Sequence, residues 1–248
     1  MFCTINLVET KKRFSRNVVI TNESIGELSF LKVVIYKKSA LKKVEKRLKS
    51  KVKFAIVSKN IKDYDFEYLK IYNNDEYLIN IAKHTFKYIL KLMSLNPKDI
   101  SVCVVDRECK HPEFVASLAN RAGIVKVVTN DIDKYLTVSD SVLEDFGTSL
   151  VVKTTVSDTD FGIDLNETPY FWFGTKENCF ELTNECVKIG SGFRKFVPQG
   201  ISQCDFAGAI HKFREFKRLK LLNSDLLFKN GKYYEINKNN IKKFLDNR

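Results

Sequence analysis

The chain has 248 residues, of which 44% are hydrophobic and 12% aromatic, enough apolar material for a sizeable core and far from the disordered class. Its net charge of +12 is uneven: residues 1–98 hold 21 Lys/Arg against 9 Asp/Glu, residues 99–190 hold 8 against 16, and residues 191–248 hold 13 against 5. The longest apolar-rich run, Tyr77 to Met93, is broken by Lys83, His84, Lys87 and Lys91, which reads against a membrane span.

The N-terminal stretch has neither a basic prefix nor a small-residue cleavage site, which reads against a secretory signal. The six cysteines, at 3, 103, 109, 179, 186 and 204, include no CxxC spacing, so zinc-ribbon and thioredoxin-type readings find no support. Reduced cysteines and a cytoplasmic location are the expectation.

In chain order, Phe2 to Val8, Val18 to Thr21 and Leu28 to Tyr36 predict short strands, the last two separated by a turn at Asn22 to Gly26. Ser39 can cap a helix that carries Leu41, Val44 and Leu48 on one face. Lys53 to Ser58 reads as a buried strand and Leu69 to Tyr72 as one more. A long helix follows from about Asp75 to Leu95, with Leu78, Ala82, Phe86, Leu90 and Met93 as its stripe, ended by Asn96-Pro97. Residues 1–95 are thus expected to form a small, basic α/β lobe with its connecting helix.

The next segment, Asp99 to Asp106, is a valine-rich strand followed by the turn Asp106 to Pro112. A helix with Val115, Leu118, Ala119 and Ala122 on one face closes at Gly123, and Val125 to Asp131 supplies a second strand. That order and spacing predict a parallel βαβ unit. A helix near Val138 to Phe146, strands at Ser149 to Thr154 and Pro169 to Gly174, and a fifth strand around Phe180 to Ile189 continue the pattern. Beyond a glycine-rich stretch (Gly190, Gly192, Gly200), Phe206, Ala209, Ile210, Phe213 and Phe216 mark one face of a basic helix. Asn230-Gly231 predicts a type I′ hairpin within Leu226 to Ile236, and a short helix near Ile241 to Leu245 ends the chain. Strands alternating with helices predict a mostly parallel sheet in residues 96–248.

Val102 to Val105, the helix after it, Val125 to Thr129 with Asp131, and the strand at Ser149 to Lys153 resemble the Rossmann-like superfamily of NAD(P)-binding domains, over residues 99–174. The resemblance implies an α/β protein of two lobes, the larger Rossmann-like with helices flanking its sheet. It also implies a degenerate nucleotide-binding protein related to dehydrogenases, with NAD or NADP as cofactor. The chain departs from that pattern at the turn after Asp106, which contains no glycine to admit a pyrophosphate.

Candidate residues follow from the strand ends. Asp106 and Asp131 lie just beyond the two strands of the βαβ unit, and an acid at the second position can bind ribose hydroxyls. Arg107, Lys110 and His111 stand at the start of the helix, where anions are favoured. The loop from Thr155 to Asp164 is expected to border the cleft. The expected cofactor-binding set is Asp106, Arg107, His111, Asp131 and Thr155.

Cys109 and His111 could act as nucleophile and base or as half a metal site, but their spacing favours neither, and they read as a turn cysteine and a surface histidine. The acids between Asp158 and Glu167 lack the EF-hand pattern and read as a solvated loop, so no metal site is expected. Between Lys37 and Lys53 there are nine basic residues and one acid; on a helix, Lys42, Lys43, Lys46, Arg47 and Lys49 project opposite the apolar face. The alternative function is therefore a non-enzymatic scaffold or regulatory protein that binds nucleic acid or another acidic partner through that patch.

Overall fold

The computed structural model describes residues 1–8, 17–166, 168–189, 191–212 and 224–246. The first elements are β1 (Cys3–Leu7), β2 (Val18–Ile25), β3 (Leu28–Ile35), α1 (Leu41–Leu48) and β4 (Ala55–Val57). After α2 (Asp75–Met93) come β5 (Ser101–Val105), α3 (Pro112–Ala116), β6 (Ile124–Val128), α4 (Ile132–Phe146), β7 (Ser149–Lys153), β8 (Thr159–Asp164) and β9 (Tyr170–Glu181). Helices α5 (Ser191–Arg194) and α6 (Gln203–Lys212), strands β10 (Leu226–Lys229) and β11 (Lys232–Glu235), and α7 (Lys238–Asp246) complete the chain.

These elements form two compact units. One comprises Met1–Asn74 and Lys188–Lys220, the other Asp75–Val187 and Leu221–Arg248. Both units are discontinuous in sequence, unlike the expected division near residue 95, and α2 groups with the second.

The first unit holds a four-stranded sheet in the order β2-β3-β1-β4, with β1 parallel to β3 and β4 and with β2 antiparallel at the edge. Successive side chains of a strand face opposite ways. On one side Cys3, Ile5 and Leu7 pack with Leu41, Val44 and Leu48 of α1. On the other, Phe2 stacks on Phe30 and Phe54, at ring separations of 5.2 and 5.8 Å, and Phe206 of α6 meets Phe2 and Phe30 edge-on. Strand β2 continues to Ile25, into the segment expected as a turn, because an edge strand can pair on one side and present polar residues to water. Leu69 to Tyr72 contributes an isolated bridge, Ile71 to Ala55, rather than a strand. Phe213 and Phe216 lie outside the described residues.

The second unit is built on seven strands in the order β11-β10-β9-β8-β5-β6-β7. Strands β8, β5, β6 and β7 are parallel, and β9, β10 and β11 extend the sheet antiparallel. The expected parallel βαβ unit is present, with Val102 beside Val125 and Val105 beside Val128. Its helix is only α3, five residues long, followed by hydrogen-bonded turns as far as Ala122. The protein is α/β, but its larger sheet is mixed.

Two further strands differ from the sequence expectation. The acidic stretch read as a solvated loop is largely β8, whose Phe161 and Ile163 are fully buried between β5 and β9. Of the two strands expected between Pro169 and Ile189, the first is the twelve-residue β9, and where the second was expected the chain instead makes a 3-10 turn at Asn184–Cys186. The hairpin is as expected: Asn230 and Gly231 take φ of +48° and +78°, as a type I′ turn requires.

Helices cover one face of this sheet. Phe86 of α2 packs on Phe114 and on Phe171, which lies in the same row as Ile163 and Val104. The opposite face carries Cys103, Val105, Val128 and Trp172, with Val156 from the β7–β8 connection against them. Five residues, Thr154 to Asp158, make that connection. They reach at most about 18 Å, so the chain crosses extended, without a helix. Lys126 pins it by donating to the carbonyl of Asp158 at 2.8 Å.

Candidate functional site

Strands β5, β6 and β8 end side by side, at Val105, Val128 and Asp164. From β5 the chain proceeds to β6 and β7 on one side, then returns across the other face to β8. Connections that diverge in this way leave a crevice at the carboxyl ends of the two strands between which the order reverses, here β5 and β8. A cleft of about 660 Å³ lies there, lined among others by Asn80 and Lys83 of α2, Arg107 and His111 after β5, Asn130 after β6 and Asn166 after β8.

Asp106 organises the cleft's floor and is 2% exposed. Its carboxylate accepts from the amides of Lys110 (3.0 Å) and His111 (2.7 Å) and from the Tyr135 hydroxyl (2.7 Å). Burial, followed by the hydrogen bond to Asp106, pushes the Tyr135 hydroxyl far above its ordinary value, so it stays a donor. Two further turn amides are engaged: Cys109 donates to the Asp106 carbonyl and Arg107 to Oδ1 of Asn166. Pro112 has no N–H to offer. The turn therefore commits its Lys110 and His111 amides to an aspartate, where a glycine turn would present amides to phosphate.

Cys109 adopts φ +51° in this turn, the left-handed region that glycine would fill without strain. Burial and the nearby Asp106 raise its thiol's pKa, which opposes thiolate formation. Nδ1 of His111 lies 3.0 Å from Nζ of Lys83. An ammonium can only donate there, so His111 carries its proton on Nε2. Desolvation, then the charge of Lys83, holds the imidazole below its usual pKa, and desolvation likewise lowers Lys83.

A second cavity, of about 470 Å³, adjoins the first through Asn80, Lys83, Lys110 and His111 and extends to Lys87 and Phe114. A third, of about 520 Å³, is lined by Arg107, Asp164, Asn166, Tyr170 and Glu181. There the Tyr170 hydroxyl donates to Asp164 at 2.8 Å, and burial followed by that bond raises its pKa well above the ordinary value.

The expected site residues fall into two groups. Asp106, Arg107 and His111 line the cleft together. Asp131 instead caps α4, accepting from the Lys134 amide at 3.3 Å and pairing with its ammonium at 3.3 Å. Thr155 is exposed beyond β7, among the residues that line none of these cavities. Lys83, Lys87, Asn130 and Asn166 line the cavities and were not singled out from sequence. Only Asn130 carried a readable signal, since it follows the end of a parallel strand.

Among the described residues, no group of three or more His, Cys, Asp or Glu side chains could hold a metal ion. Asp160 accepts from the amide and hydroxyl of Ser101 at 2.9 and 2.8 Å, and Asp164 bonds Tyr170 and the Asn166 amide. Glu167 lies outside the described residues.

In the first unit, Lys42, Lys43, Lys46 and Arg47 of α1 and Lys49 at its C-cap are all exposed, while Leu41, Val44 and Leu48 are buried. Lys42 pairs with Glu67 at 3.0 Å. Tyr68, itself 36% exposed, lies beneath Lys46 and Lys49, at 5.5 and 5.4 Å from its ring centre. Sequence spacing gave no sign of an aromatic beside this patch.

Comparison with known proteins gives no match: no family model, no curated protein and no solved structure corresponds to the chain.

Proposed function

We propose that the second unit is a Rossmann-like domain that binds a nucleotide, NAD or NADP foremost, in the cleft at the carboxyl ends of β5, β6 and β8. The parallel order β8-β5-β6-β7 corresponds to strands 4-1-2-3 of the doubly wound dinucleotide fold, one of its halves and the first strand of the other. The observation that carries the reading is the coincidence of the strand-order reversal with a cleft whose walls bear Lys83, Arg107 and His111. Fold alone would not license it. In this reading the Asp106 turn is a rigid floor, Arg107 meets the ligand at the mouth, and Asn130 takes the ribose position expected of Asp131.

Titration calorimetry with NAD, NADP, ATP and S-adenosylmethionine tests the proposal. At least one should bind, and Arg107→Ala and Asn130→Ala should each weaken that binding about tenfold with the melting temperature unchanged. Absence of binding across the panel would sink it.

A second reading concerns the first unit, and the setting of Tyr68 favours it. An exposed ring flanked by two lysines, beside Lys43 and Arg47, suits the backbone and bases of a single-stranded nucleic acid. Binding to mixed-sequence RNA or DNA should fall steeply with salt. It should also weaken with Lys43→Glu, Lys46→Glu or Tyr68→Ala. Retention of full binding by the Lys46→Glu variant would exclude α1 as the surface.

A further inference from the structure

We infer that the cavity between α2 and α3 is a phosphate-binding subsite, in which Lys83 and Lys87 take the part that backbone amides play in a glycine turn. The inference rests on the proposed nucleotide cleft, which the cavity adjoins through Asn80, Lys83, Lys110 and His111.

The two lysines are one helical turn apart, so they project from the same side of α2. Both ammonium groups lie over the ring of Phe114, at 5.9 and 5.4 Å from its centre. Both are half-buried, and neither has a carboxylate within ion-pair distance among the described residues. Desolvation lowers the pKa of each; on Lys83 the attraction of Asp106 opposes it, ahead of the repulsion of Lys87 and the weaker pull of Glu113 and Glu76, and on Lys87 Arg121 adds to it. Glu113 is the acid on this lining, and its side chain is exposed.

Two like charges held together, half out of water, are unfavourable for the empty protein. A bound dianion removes that penalty, because it neutralises both ammonium groups and accepts their hydrogen bonds. The turn beside them leaves an anion little else, since Asp106 already holds the amides of Lys110 and His111. Lysine suits such a site because it binds phosphate as a point charge, without the fixed geometry of an arginine fork. The ring of Phe114 keeps both ammonium groups inside the cavity.

The subsite is tested with the intact chain by calorimetry against inorganic pyrophosphate, ATP and adenosine, at 50 and 200 mM salt. The wild type should bind pyrophosphate and ATP, and Lys83→Gln and Lys87→Gln should each weaken both by tenfold or more while leaving adenosine unaffected. Lys91→Gln, on an exposed position of the same helix, is the control and should bind as the wild type does. Thermal melts of each variant confirm folding. Pyrophosphate binding that survives both substitutions, or no pyrophosphate binding by the wild type, overturns the subsite. If ATP and adenosine bind equally well and ignore Lys87→Gln, the subsite fails while the nucleotide reading stands. If pyrophosphate binds through Lys87 but no nucleotide does, the subsite stands and the nucleotide reading fails.

Discussion

Asp106 joins the end of β5 to the start of α3 and to α4 by satisfying two amides and one hydroxyl with a single buried carboxylate. Asp106→Ala leaves all three donors without an acceptor. At about 1 kcal/mol or more for each, the expected loss is about 3 kcal/mol in urea denaturation. Tyr135→Phe removes one donor and leaves the carboxylate its other two, so about 1 kcal/mol is expected. A loss under about 0.5 kcal/mol for Asp106→Ala would show that the turn does not depend on its aspartate. His111 gives a second prediction. Its pKa is lowered in the folded state by desolvation and Lys83, with Lys110 acting the same way and Asp106 opposing. The unfolded chain therefore takes up this proton first as pH falls, and stability should decline below about pH 6.5 until the folded-state value is passed. His111→Gln should flatten that part of the pH–stability curve; an unchanged slope would assign the acid sensitivity to other groups. Asp106 and His111 were legible as site residues because they follow a strand in sequence. Lys83 and Lys87 were not, because helical periodicity marks them only as the polar side of α2, and their cavity forms with residues about 25 positions later.

At the level of elements, β8 shows how packing overrides pattern. Gly162 sits where a Cβ would come within 1.7 Å of Cε2 of Trp172, which is fully buried against that strand. Gly162→Ala should thus destabilise by about 3 kcal/mol, the upper end of the overpacking range. Trp172→Leu should cost less in the Gly162→Ala background than in the wild type, because the clash has then been removed. Additive losses would mean that the ring moves aside freely. The strand was hard to read for two reasons. Its acids are Asp160 and Asp164, which fold inward onto Ser101, Asn166 and Tyr170 instead of facing water. It also follows β7 after five residues, where a parallel crossover ordinarily takes a dozen or more. By contrast β5, β6 and the Asn230-Gly231 hairpin were readable, since a buried valine run between turn signals and a two-residue left-handed turn are determined locally.

At the scale of the molecule, discontinuity in sequence governs what can fold alone. Residues 1–95 hold all four strands of the first unit but lack α6, which belongs to that unit through its later segment. In the intact chain Phe2 is 0% and Phe30 1% exposed, and Phe206 closes over both. Without α6 that sheet face would open to water, and each exposed phenylalanine forgoes about 2 kcal/mol of burial. A domain this small has only a few kcal/mol of net stability, so the deficit exceeds what the α1 side can supply. A fragment of residues 1–95 should accordingly melt without a cooperative transition and bind a hydrophobic dye, while the full chain melts sharply. A sharp melt of the fragment would mean that the α1 face alone sustains the sheet. No periodicity in residues 1–95 announces the missing helix, because the even-numbered positions of β1 and its flank, Phe2, Thr4 and Asn6, mix one large apolar side chain with two polar ones. That face becomes recognisable as core only when α6 arrives from about 200 residues later in the chain.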